Sequence, residues 1–375
     1  MSLRTRTPES DLEEIQREAL IVLDTFALEY SVKPGGTLII ELETGGSLKI
    51  EGWDQNTVAI ELDLGNLDPD DIRMEMGKVS NGVEVIVERR HKFSHSSRGV
   101  HLKAKVPKVY DLDVETMGGV VEVSGIEGLI EGRTMGGSLD LKKLKGEIDF
   151  HTMGGNIDLS HSQLEGRVKT MGGNIQLTDV NGTVKASTMG GNITYGNGTT
   201  GSVDEAVVIS TMGGNISVES APAGADVKTM GGNIQIRSAR KFIRAKTMGG
   251  DITIDAVDGQ VRASTMGGDV EVTVVGDDDA VERNVSLASK GGDIILTVPE
   301  GLSMDFDITL TYTRRREGRY HITSDFDLNL AESEEWEGGL FSRPHKEIRG
   351  TGKVSGGKNR ITVETVNGDI IIKKG

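Results

Sequence analysis

The chain has 375 residues with 51 glycines, 7 prolines, no cysteine and only 4% aromatic residues. Those numbers exclude a disordered Pro/Gly polymer, a disulfide framework, thiolate metal sites and a core built on aromatic rings. The formal net charge of −16 argues against a general affinity for nucleic acid, whose phosphates call for a basic footprint.

Residues 1–31 read as an N-terminal extension, charged and helix-compatible around residues 11–23. The best apolar stretch, residues 19–28, contains Asp24 and follows Asp11, Glu13 and Glu14. A secretory signal has a basic lead-in instead. No run approaches the roughly 18 to 20 apolar residues that span a bilayer, so the chain reads as soluble, with neither a transmembrane nor a targeting segment visible. Residues 32–115 carry strand-like runs at 37–42, 47–51, 57–62 and 83–87, with a degenerate TGGSLKI at 44–50. They are expected to form irregular N-terminal coils leading into a regular array.

That array covers residues 116–296. Thr-Met-Gly-Gly occurs nine times, with Thr116, Thr134, Thr152, Thr170, Thr188, Thr211, Thr229, Thr247 and Thr265 at its start. Seven of the eight steps are 18 residues and one is 23. One unit, TMGGNIQLTDVNGTVKAS from Thr170, alternates apolar and polar residues on both sides of the glycines. Alternation of this kind marks strands with one buried face, and the glycines mark corners between them. Such a unit cannot bury its apolar face alone, so successive units must stack. The predicted fold is all-β: a β-solenoid of parallel strands, with coils of about 18 residues and irregular terminal coils.

Each corner position then forms a row. The nine threonines, in phase with Val184 and Ala186 of their own unit, are expected to point inward and to satisfy corner backbone groups through their hydroxyls. Asn156, Asn174, Asn192, Asn215, Asn233, Asp251 and Asp269 are expected to form a hydrogen-bonded, turn-forming stack. The methionines are expected to fill the corner of the core as flexible thioethers, although Lys290 takes their place in a tenth, degenerate copy, SKGGDI. The longer intervals contain residues 196–205 and 277–283, which read as surface loops that can be trimmed without loss of folding. Residues 297–375 are expected to form irregular C-terminal coils and a cap, because the next similar corner, at Thr365, lies 76 positions beyond Ser289.

Several of these segments resemble the bacterial "putative adhesin" β-strand-repeat family, also called toast-rack domains, whose function is unknown. The likeness rests on VKPGGTL at 32–38, GSLKIEGW at 46–53, HLKAKVP at 101–107, the array itself, GKVSGG at 352–357 and ITVETVNGDI at 361–370. The resemblance implies a single right-handed parallel β-helix outside the cytoplasm, in the periplasm or at the cell surface, with a cytoplasmic location as the alternative, and it implies no ligand.

No recognisable catalytic motif is present, and neither a P-loop nor a dinucleotide fingerprint occurs. Isoleucine two positions beyond the Gly pair (Ile157, Ile175, Ile193) removes the second glycine turn of calcium-binding β-rolls. His91 and His95 have helical i, i+4 spacing, yet with His101 they lie in RRHKFSHSSRGVH, which reads as a Ser-rich loop rather than a metal site. No metal or cofactor is expected. One outward stripe stands out: Arg133, Arg167, Lys169, Lys185, Lys228, Arg244, Lys246 and Arg262 lie one or three residues before the threonines, interrupted by Asp113, Glu115, Glu131, Asp149 and Asp226. Such a stripe suits an anionic polymer and equally serves to keep an exposed strand face soluble. The expected function is a non-catalytic, envelope-associated scaffold or adhesion module that binds a polymer or protein. The alternatives are a glycan-processing β-helix enzyme and a self-assembling structural protein.

Overall fold

The computed structural model describes residues 25–65, 67–90, 99–196, 205–276, 281–338 and 344–375. The chain divides into two compact units, residues 1–152 and 153–375. The fold is all-β, with mixed parallel and antiparallel pairing, and the described residues contain no α-helix. The helix expected around residues 11–23 lies outside the described residues. Thr25–Ser31, counted with the same extension, is a strand antiparallel to Thr57–Asp63.

In the first unit, the repeat places Asp111–Thr116, Glu127–Thr134 and Lys145–Thr152 side by side in parallel. Val121–Ser124 pairs likewise with Leu139–Lys142. Spatial and sequence order part company before them. Thr37–Leu42 inserts between Gly82–Arg89 and Asp111–Thr116, and Gly46–Trp53 inserts between Val100–Pro107 and Val121–Ser124. Beyond that pair, pairing turns antiparallel, with Ile72–Val79 against Gly82–Arg89 and Thr57–Asp63 against Val100–Pro107.

The second unit carries the longer array. Ile157, Ile175, Ile193, Ile216, Ile234, Ile252, Val270 and Ile294 are successive register partners, all at most 1% exposed. A second row runs through Val168, Ala186, Ile209, Val227, Ala245, Ala263 and Leu287. Burying each large aliphatic side chain contributes about 2–3 kcal/mol, and a one-residue slip would turn the whole set outward. The 23-residue interval does not disturb the register, since Ile193 pairs directly with Ile216. At the C-terminal side Asn359–Val366 inserts between Val285–Ser289 and Met304–Thr313, and Ile370–Lys374 between Ile294–Val298 and Ile322–Ser324. The 76-residue gap therefore closes in space, because Thr365 pairs with Ser289.

Corner chemistry locks this register. Thr188 Oγ1 donates to Gly173 O of the preceding repeat at 2.9 Å and accepts the N–H of Gly191 in its own at 3.2 Å. Thr170, Thr211, Thr229, Thr247 and Thr265 repeat both bonds. In the first unit Thr152 Oγ1 donates to Gly137 O, and Thr134 Oγ1 accepts the Gly137 N–H. The Thr116 hydroxyl bonds Gly118 within its own corner. Alongside runs a second ladder, in which the Oδ1 of Asn174 accepts the backbone N–H of Asn192 at 2.8 Å and that of Asn192 accepts the N–H of Asn215 at 2.7 Å. The same bond continues through Asn233, Asp251, Asp269, Asp293 and Asp369.

One expectation about the longer intervals fails. Residues 197–204 and 277–280 lie outside the described residues, but Arg283, at the end of the second interval, is fully buried. Its guanidinium donates to Asp258 Oδ1 at 2.6 Å and to the carbonyl of Val275, while its own N–H donates to Asn359 Oδ1. Trimming through Arg283 would strand those acceptors, so this interval is not a dispensable surface loop.

The two glycines of each corner are not equivalent. A Cβ on Gly191 would lie 2.0 Å from Gly173 O, whereas one on Gly190 meets nothing nearer than Met171 O at 3.7 Å. Gly191→Ala is therefore expected to destabilise by at least about 3 kcal/mol, as an overpacked backbone contact. Gly190→Ala should change stability by no more than about 1 kcal/mol. Urea unfolding of the two single variants, followed by circular dichroism, checks the contrast.

Candidate functional site

The outward face of the strands leading into each corner threonine holds the charged columns. In the first unit Arg133 lies opposite Glu115 and His151. On the same face Glu131 lies between Asp113 and Asp149 in register, and Glu41 lies opposite Glu115. Arg133 is thus set among acids and joins no basic patch within its unit. At Glu41 desolvation, followed by the charges of Glu115, Glu84, Glu88 and Asp113, raises the carboxyl pKa above its ordinary value.

In the second unit the same columns are basic but broken. Arg167 is the register partner of Lys185, and Lys169, two residues on from Arg167, completes the first patch. Val208, Ser187 and Ser210 then occupy the columns. A second patch follows, with Lys228 beside Lys246 and Arg244 beside Arg262. Asp226 lies within it, bonding Lys228 at 3.0 Å. All seven basic side chains are exposed. They form two patches rather than one stripe, because the 23-residue repeat and its neighbours place uncharged residues between them.

The methionines depart from expectation. Met117 and Met135 in the first unit, and Met153 to Met266 in the second, are 43–55% exposed, so they do not fill the core. Thr takes the inward position and spends its hydroxyl on two backbone groups. Met, one residue later, leaves on the opposite side. The threonines, at most 5% exposed, are closed to ligands by the same geometry.

His91 and His95 lie outside the described residues. His101 is exposed, with its Nδ1 2.6 Å from Ser47 Oγ. Among the described residues no group of three or more His, Asp or Glu side chains is placed to hold a metal ion, and no helix is long and apolar enough to cross a membrane.

One cluster escaped the sequence reading. Trp336 meets Tyr312 edge-on at 5.8 Å between centroids, with Lys346 and Arg314 over its ring at 5.4 and 5.9 Å. Tyr312 donates to Glu332, and its hydroxyl pKa is pushed up to about 12, first by burial and then by that carboxylate. Nothing local in the sequence ties Tyr312 to a tryptophan inside the acidic run 332–337. Nearby, an open groove of about 660 Å³ is lined by Ile322, Phe326, Leu328 and Leu330 among others, with Asp327 its one acid.

No family model matches the chain, and no curated protein matches its sequence. Among solved structures it is similar to a putative cell adhesion protein from Clostridium sporogenes, at 9% identity and a TM-score of 0.19, covering 94% of this chain and 100% of that one. A putative adhesin from Bacteroides fragilis gives 11% identity and a TM-score of 0.18, covering 93% and 96%. A putative lipid binding protein from Parabacteroides distasonis gives 14% and 0.30, covering 72% and 96%. At TM-scores this low the likeness carries no argument about role.

The acidic column yields a pH-dependent prediction. A carboxyl whose folded pKa is raised costs stability once it ionises, so its penalty is absent at low pH and develops as pH rises through the carboxylate range. Glu41→Gln should therefore stabilise the protein at pH 7, by about 0.5 kcal/mol for relieved like-charge cross-strand pairs. The difference should vanish near pH 3. Denaturant midpoints of both proteins at the two pH values check this.

Proposed function

We propose that this protein is a non-catalytic scaffold of the bacterial envelope, outside the cytoplasm, that binds an anionic polymer along one lateral face. In this reading the stacked repeats form a right-handed parallel β-helix of the toast-rack kind. The in-register parallel pairing at each repeat and the rows of identical corner residues support that architecture. The observation that carries the functional reading is the pair of exposed basic patches, Arg167 with Lys169 and Lys185, and Lys228 with Arg244, Lys246 and Arg262, on a chain of net charge −16. Cations held at strand spacing on a rigid sheet face meet successive charges of a polyanion without ordering flexible loops, so each contact is weak and the sum is not.

Two paired variants separate the patches: Lys169→Gln with Lys185→Gln, and Lys228→Gln with Lys246→Gln. Each should weaken binding to a polyanionic glycan and flatten its salt dependence, because fewer counterions are released on association. Exposed substitutions of this kind change stability by only about 0.5 kcal/mol each, so folding should be retained. Titration of wild type and both variants against heparin at two salt concentrations reads the effect. Equal affinity of all three, or no binding by wild type, contradicts the reading.

A further inference from the structure

The methionine row has no place in that reading, and its chemistry is unusual for a surface. In the second unit seven methionines, from Met153 to Met266, occupy the same exposed corner position. Their backbones are stacked directly. The carbonyl of Met171 accepts the N–H of Gly190 in the next repeat at 3.0 Å, that of Met189 the N–H of Gly213 at 2.9 Å, and that of Met212 the N–H of Gly231 at 3.0 Å. Equivalent residues are therefore one strand spacing apart, about 4.8 Å. The glycine after each methionine from Met171 to Met266 is not crowded, since a Cβ there would meet nothing nearer than 3.6 Å, an ordinary van der Waals contact.

Drift elsewhere in the repeat makes the retention informative. The outward residue after each buried isoleucine changes freely, being Asp158, Gln176, Thr194, Ser217 and Gln235 in successive repeats. The methionine position is equally outward, yet it keeps Met from Met153 to Met266, through the 23-residue interval and through the change from Asn to Asp three residues away. Shielding the corner would need only an aliphatic side chain, and solubility would favour a polar one. What Met alone adds is a soft thioether sulfur. The row ends where the position becomes Lys290 and then Val366, neither of which can supply one.

We propose that this row is a binding site for soft monovalent cations, of the class of Cu(I) and Ag(I), held between the thioethers of neighbouring repeats. Thioethers select such ions over hard divalent cations. Metal–sulfur bonds of roughly 2.3 Å, two of them in line as these ions favour, span about 4.6 Å. That span is comparable with the strand spacing of about 4.8 Å between equivalent residues, so neighbouring methionines of the row are spaced to share one ion. The Asn/Asp ladder runs parallel to the methionines two residues beyond the Gly pair's start, and its Asp251 and Asp269 add negative potential at one end.

The test uses Ag(I), which needs no reductant, in chloride-free buffer with the full chain. Met171→Leu, Met189→Leu, Met212→Leu and Met230→Leu, combined, keep the apolar shape and remove the donors. Wild type is expected to retain several Ag(I) ions after desalting, read by mass spectrometry of the metal, and the quadruple variant to lose most of them at an unchanged thermal midpoint. Retention of as much Ag(I) by the variant, or none by wild type, overturns the proposal. If the variant does not fold, methyl-labelled wild type decides. The exposed methionine methyl resonances should shift with Ag(I) while that of Met304, which is fully buried, stays in place, and unshifted exposed resonances overturn the proposal.

Discussion

A methyl group placed on Gly191 would lie 2.0 Å from the carbonyl oxygen of Gly173, and the same clash recurs at Gly214, Gly232 and Gly250. This close approach of backbone to backbone governs the second unit. With neighbouring corners so near, a threonine hydroxyl can bridge the carbonyl of one repeat and the N–H of the next. An Asn or Asp side chain can likewise accept the N–H of its own counterpart. Buried backbone groups at a corner would otherwise lack partners at a cost of about 1–3 kcal/mol each. Register is thereby fixed to the residue, the aliphatic rows align, and the methionine, denied the inner side, becomes a surface feature.

The ends of a stack of parallel strands expose unpaired backbone, which invites association with other chains. Each unit handles this in a similar way. In the first, Thr37–Leu42 and Gly46–Trp53 are tucked one strand inward, and antiparallel strands cover Gly82–Arg89 and Val100–Pro107. In the second, Asn359–Val366 is tucked inward, while His345–Val354 covers Met304–Thr313 and is itself covered by Asn329–Glu332. That last strand is exposed at all four positions and leads into the acidic run 332–337, whose charge discourages edge pairing. Inserting a terminal strand between two others also makes the end of the stack depend on contacts distant in sequence, as with Asn359 receiving the N–H of Arg283.

The period was legible because every corner meets the same steric and hydrogen-bonding demand, so the same four residues recur. The inward direction of Thr and the outward direction of the Lys and Arg positions followed from simple alternation. The methionine expectation failed at the turn, where Met follows a buried Thr and leaves on the opposite, outer side. The grouping of the basic residues depended on which repeats carry Ser or Val in the charged columns, visible only once register was carried across the 23-residue interval. Arg283 was read as loop because its partners, Asp258, Val275 and Asn359, come from three separate segments. Trp336 was illegible for the same reason.

The central claim is that corner residues of successive repeats sit directly against one another, including across the longer interval. The absence of cysteine from the chain allows a clean test by disulfide trapping. Cysteines bridge when their α-carbons lie about 4.4–6.8 Å apart, a range that includes one strand spacing and excludes two. Met189→Cys with Met212→Cys joins neighbouring repeats, whereas Met171→Cys with Met212→Cys skips one. Under mild oxidation the first pair should close an intramolecular disulfide, read by the mass of the bridged peptide, and the second should remain reduced. Ready closure of the second pair, or failure of the first in folded protein, would contradict the stacking on which the account rests.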